Sequence, residues 1–165
     1  MRELIEGSDH VIDDQLTGSI IGSAIEVHRQ LGPGFLESVY GRALRCEFTA
    51  RRIIWAAEVE VPVLYRGMVV GRHRLDLVVA NQIVIELKAV ARLEVIHFAQ
   101  VRSYLAAAGL RVGLLLNFEQ TQLTVRRVVD RALKEELRGS GVPSPTVPRA
   151  SAVSRANEAN PVAGS

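Results

Sequence analysis

The chain has 165 residues, of which 48% are hydrophobic and 23% charged, with a formal net charge of +2. That is the size of one domain with its own core and the composition of an ordinary globular protein. The charge is too small to argue for a nucleic-acid partner by itself. No apolar run approaches the roughly 18 residues that a membrane span requires. The opening Met1-Arg2-Glu3-Leu4-Ile5-Glu6 lacks the basic-then-apolar layout of a signal peptide. A single cysteine, Cys46, excludes an internal disulfide and a cysteine-rich zinc site, and its place on a helix suggests half-burial. These features together predict a cytoplasmic protein that does not associate with membranes.

Thr17 to Leu31 reads as an amphipathic helix, with Ile20, Ile21, Ala24, Ile25, His28 and Leu31 on one face. Gly32-Pro33-Gly34 ends it, because glycine caps a helix and proline cannot continue one. A second helix is expected from Leu36 to Arg52, with Tyr40, Leu44 and Phe48 as its apolar stripe. Three strands follow, Trp55–Tyr65, Val69–Val79 and Ile83–Val90, with turns at Arg66-Gly67 and near Asn81. A third helix spans Glu94–Ala108 and stops at Gly109; strands at Arg111–Phe118 and Gln122–Val129 precede a short helix to Arg138. This ααβββαββα order implies a layered α/β fold, a mixed central sheet flanked by helices. From Gly139 to Ser165 the chain holds four of its six prolines and no apolar periodicity. That tail is expected to be disordered, leaving a folded domain over residues 10–138.

Basic residues number twenty, and all but Lys88 and Lys134 are arginine. Lys88 lies in the run Ile83-Val84-Ile85-Glu86-Leu87-Lys88, where strand alternation puts Val84, Glu86 and Lys88 on one face. Charged groups in so apolar a strand cost several kcal/mol unless they pair or bind a metal. Asp76 repeats the pattern one strand earlier, between Leu75 and Leu77. Exposed ion pairing could account for any one of these charges, less readily for three that converge. Convergence depends on the turn. A two-residue loop at Asn81-Gln82 sends Asp76 to the face opposite Glu86, whereas a three-residue loop, Ala80-Asn81-Gln82, opposes the two carboxylates. An odd loop or a bulge is therefore predicted. Two converging carboxylates would attract a hard divalent cation such as Mg²⁺, pointing to phosphodiester cleavage with Lys88 beside the attacking water.

Helical residues add candidates. Glu37, in the first turn of the second helix, is either a favourable carboxylate at a helix N-terminus or part of the site. His97, Gln100 and Tyr104 share a narrow polar arc of the third helix beside the core stripe Phe98, Val101, Leu105 and Ala108. His28, on an apolar face, reads first as a core histidine and second as an accessory group. Basic pairs at Arg51-Arg52, Arg72 with Arg74, and Arg126-Arg127 are solvated faces or phosphate contacts.

Asp76 followed after one hairpin by Glu86-Leu87-Lys88 resembles the D…(D/E)xK signature of the PD-(D/E)XK nuclease superfamily, although Leu75 stands where its name places proline. Gln100-Val101-Arg102-Ser103-Tyr104 resembles the QxxxY helix motif of the recombination-exonuclease branch. The segment Leu31 to Tyr40, with Gly34, Glu37 and Tyr40, is similar to the defining segment of the bacterial GxxExxY family. The resemblance covers about residues 15–130. It implies a restriction-endonuclease-like αβββαβ core, Asp76 and Glu86 as ligands of Mg²⁺ (or Mn²⁺), and Lys88 as the catalytic lysine. Glu37 would be an auxiliary acid, Gln100 a helix-borne site residue, and Tyr40, Tyr104, His97 and His28 accessory. The expected function is a metal-dependent nuclease acting on nucleic acid, with DNA first in line. The alternative is a non-catalytic module of the same fold that binds nucleic acid or a protein partner.

Overall fold

The computed structural model describes the backbone of residues 6–130 and the side chains from residue 14 onward. The helix expected up to Arg138, the end of the folded domain and the tail from Gly139 lie outside the described residues. The described elements are α1 (Glu6–Leu31), α2 (Glu37–Ala50), β1 (Trp55–Tyr65), β2 (Met68–Val79), β3 (Ile83–Lys88), α3 (Val95–Ala108), β4 (Val112–Asn117) and β5 (Thr124–Val129).

The strands form one sheet in the order β1-β2-β3-β4-β5. β3 and β4 are parallel and joined across α3, while the other neighbours are antiparallel. Ile85 and Leu87 pack with Ile20, Ala24, Tyr40, Leu44 and Phe48 of α1 and α2. Val84 and Leu115, on the other face, pack with Val101, Tyr104 and Leu105 of α3. Each side of β3 thus faces a helical layer, which explains an apolar run with little alternation.

Helix α1 begins eleven residues before the expected Thr17. Ile25 was expected on the buried face but is 53% exposed. It lies about 120° around the helix from the line through Ile20, Ala24 and Val27. Cys46 is exposed rather than half-buried; two residues from Leu44, it sits about 200° around α2, away from the apolar stripe. Strand ends shift by a residue or two, and β3 stops at Lys88.

The turn after β2 is the three-residue one. Val79 pairs with Ile83, Val78 with Val84 and Leu77 with Ile85, leaving Ala80-Asn81-Gln82 as the loop. Ala80 and Asn81 both take left-handed backbone angles, φ 51° and 56°.

Pairing between β2 and β3 stops at Leu77, and there the pleat of the sheet reverses. Leu77 packs in the α1–α2 core, but Leu75 belongs to the α3 core. The partner strand does the same: Ala57 packs with the first core and Val59 with the second. Between them Glu58 has a left-handed φ of 55° inside a strand, an arrangement that bends strands and re-aims side chains. Asp76 sits opposite this irregularity.

Candidate active site

Asp76 leaves β2 at the point where the two strands part. Its Oδ2 accepts the Leu87 backbone N–H at 2.9 Å, standing in for a main-chain acceptor of the interrupted ladder. Glu86 is 3% exposed. Burial, reinforced by the Asp76 charge and opposed by Lys88, raises its pKa to about 7. Lys88 Nζ donates to Glu86 Oε1 at 2.7 Å. Burial lowers the Lys88 pKa, but its bond to Glu86 and the charges of Glu86, Glu37 and Asp76 outweigh that, and the net shift is upward. The lysine is therefore a cation and donor rather than a base.

Glu86 Oε2 is buried and has no hydrogen-bond partner. A carboxylate oxygen in that state is costly unless something positive meets it. The neighbouring Asp76 carboxylate adds to the cost whenever Glu86 is ionised, and the pair is relieved either by a proton held on Glu86 or by a cation. A divalent cation bound by oxygen ligands fits this donor set, with water and substrate phosphate completing its shell. Among the described residues no group of three or more His, Cys, Asp and Glu forms a metal cluster.

The backbone after Lys88 is held from two sides. Glu37 Oε1 accepts the Ala89 N–H at 3.1 Å. Asn117, opposite Lys88 in the β3–β4 register, accepts from Val90 N–H and donates to Val90 C=O at 3.0 and 2.7 Å. Asn117 escaped the sequence reading. Its signal was a buried amide ending the apolar run from Val112 to Leu116.

On α3, Gln100 Nε2 donates to the Tyr104 hydroxyl at 2.6 Å. Burial, with the Glu86 charge added, raises the Tyr104 pKa, so this phenol faces the acidic pair. His73 of β2, also missed, stands edge-on to the Tyr104 ring at 4.8 Å between centroids. The remaining candidates are engaged elsewhere. His97 Nδ1 accepts the Glu94 N–H at 2.9 Å, capping the start of α3. His28 Nε2 donates to the Gln120 carbonyl at 2.8 Å beneath Phe118. The Tyr40 hydroxyl donates to Gly32 C=O at 2.6 Å and accepts Phe35 N–H at 3.2 Å, while its ring stacks on Phe118 at 4.4 Å. Tyr40 thereby clamps the loop that presents Glu37.

Two acidic side chains and a lysine, gathered where adjacent strands of a mixed sheet part, with helices on both faces, define a restriction-endonuclease-like α/β core. The chain belongs to the PD-(D/E)XK nuclease superfamily, whose family model matches residues 14–128. It is similar to the crystal structure of SSO0001 at 22% identity and a TM-score of 0.47, over 59% of this chain and 55% of the other, about half of that protein's length. No curated protein matches the chain. No described helix is long and apolar enough to cross a membrane.

Proposed function

We propose that this protein is a Mg²⁺-dependent nuclease of the GxxExxY type that hydrolyses phosphodiester bonds in DNA. The observation that carries the reading is Glu86: one buried oxygen paired with Lys88 at 2.7 Å, the other without a partner beside Asp76. Asp76 and Glu86 would hold the ion through carboxylate oxygens. When bound, Mg²⁺ supplies Lewis-acid polarisation of the phosphate and neutralises charge at the reacting centre.

Asp76 is aimed by its bond from Leu87 N–H, and Glu86 is fixed by its central strand. Lys88, held on Glu86 and kept protonated, orients a water for in-line attack and offsets the charge that builds on the phosphoryl oxygens. The bond from water oxygen to phosphorus forms as the bond to the leaving sugar oxygen breaks, the attacking water giving its proton to solvent and the leaving oxygen taking one from solvent. Glu37 and Asn117 keep the segment after Lys88 from shifting. Gln100 and Tyr104, bonded to each other, stand on the α3 side, with the Tyr104 hydroxyl within the field of Glu86 and Asp76.

The test is cleavage of linear, nicked and branched DNA, and of RNA, with Mg²⁺ or Mn²⁺, by wild type and Lys88→Ala. Wild type should cut in a metal-dependent manner, with the variant slower by about 100-fold or more, the scale for losing one preorganised charge. Equal cutting by both proteins would show that the site is elsewhere. Binding without cleavage of any substrate would make the protein a non-catalytic module on this fold.

A further inference from the structure

A cleft of about 430 Å³ lies between α2 and β2, on the sheet face opposite α3. Its lining includes Glu37 and Asp76 but neither Glu86 nor Lys88, so it meets the acidic site at Asp76, the side chain that emerges where the pleat reverses. Arg42 and Arg45 of α2 and Arg74 of β2 line the same cleft. Glu37, Arg42 and Arg74 are exposed, which makes it a trench rather than a closed cavity.

We propose that this trench seats one strand of nucleic acid, with Arg42, Arg45 and Arg74 on the phosphates beside the scissile one. The assignment rests on the nuclease reading and extends it to the strand's path. Chemistry along α2 is graded, from Glu37 in the first turn to Arg42 and then Arg45. Eight residues of helix separate Glu37 from Arg45, about 12 Å. At roughly 3.4 Å of axis per nucleotide in a strand, that is about three to four nucleotides.

Two of the cations are preorganised. The Arg45 guanidinium lies over the Trp55 ring at 5.9 Å, and its Nε donates to the Gly41 carbonyl at 3.2 Å. Arg74 is held by Glu58 at 2.6 Å, with both side chains exposed, so a phosphate can share its remaining donors. Arg42 has no hydrogen bond or ion pair among the described residues. Gly41 sets the depth: a Cβ there would stand 3.2 Å from Leu87 Cδ1, so glycine lets α2 close onto β3 beside the site. The basic pairs visible in sequence missed Arg42 and Arg45, which are brought to Arg74 only by the packing of α2 on the sheet.

The experiment is fluorescence anisotropy of a labelled single-stranded oligonucleotide and of its duplex, in Ca²⁺, over a range of salt. Wild type, Lys88→Ala, Arg42→Glu, Arg42→Ala and Arg126→Glu are compared, the last on edge strand β5 away from the trench. Arg42→Glu should weaken binding about ten-fold, and Arg42→Ala should flatten the salt slope by about one unit, while Arg126→Glu changes little. Unchanged binding in Arg42→Glu, or equal loss in Arg126→Glu, overturns the trench while Lys88-dependent cleavage leaves the nuclease reading standing. Lys88-independent cleavage, or none, together with the Arg42 effect overturns catalysis at this site and retains the trench. Failure of wild type to bind either oligonucleotide overturns both.

Discussion

Among single residues, Tyr40 shows how a motif position can act through its neighbours. Its ring is fully buried and its hydroxyl ties Gly32 and Phe35, so it holds the loop that delivers Glu37 to the Ala89 N–H. Tyr40→Phe keeps the ring stacking and removes both bonds, stranding a loop N–H and carbonyl. The expected loss is about 1–2 kcal/mol, read from urea unfolding, with cleavage per folded molecule close to wild type. Abolished cleavage in a variant of undiminished stability would instead place the hydroxyl against the substrate. Lys88 is a different case. Its bond to Glu86 gives it a fixed direction, and its raised pKa keeps it a cation across the working range. A guanidinium in its place could not present the same compact charge.

At the level of elements, the strands and the odd loop at Ala80–Gln82 were legible because strand parity is strict: an odd loop or a bulge was needed to bring Asp76 and Glu86 together, and Val79 pairs with Ile83 across three residues. The pleat reversal at Glu58 and Asp76 was not. A left-handed glutamate leaves no mark in a hydrophobic pattern, yet it lets Asp76 couple to Glu86 and also line the trench beneath α2. Asn117, His73 and Arg42 were likewise invisible, since their meaning comes from β4, α3 and α2 lying beside β3 or β2. Ile25 erred the other way, an apolar residue at helical spacing that no neighbour covers. The seating of α3 makes a demand that the sequence does display, as Gly113 inside a buried strand. A Cβ at Gly113 would stand 2.5 Å from Val101 Cγ1, closer than any relaxed contact. Gly113→Ala should therefore cost about 1–3 kcal/mol as α3 is pushed off the sheet. Calorimetry checks it, and Gly113→Ala combined with Val101→Ala should recover part of the loss. No recovery would mean that the strain falls on the Val84 carbonyl instead.

Across the whole molecule, the acidic site is a local instability that the two surrounding cores carry. Glu86 titrates near pH 7 in the fold against an ordinary value of 4.5. The folded state thus binds its proton more tightly than the unfolded chain does, and stability falls as pH rises between those values. This contribution is fully present below about pH 4.5 and lost above about pH 7, and the shift corresponds to roughly 3 kcal/mol. The upward shift at Lys88 acts only above its ordinary value of 10.5, outside that window. Metal-free protein should therefore melt at a lower temperature at pH 8 than at pH 5. Mg²⁺ competes with the proton for the same carboxylate, so it should raise Tm at pH 8 and do little at pH 5. Glu86→Gln removes the titrating charge, and both the pH slope and the Mg²⁺ response should shrink together. Calorimetric scans in EDTA and in Mg²⁺ at the two pH values measure all of this. If wild type and Glu86→Gln responded alike to Mg²⁺, the ion would be binding away from the strand ends, and Asp76 and Glu86 could not be its ligands.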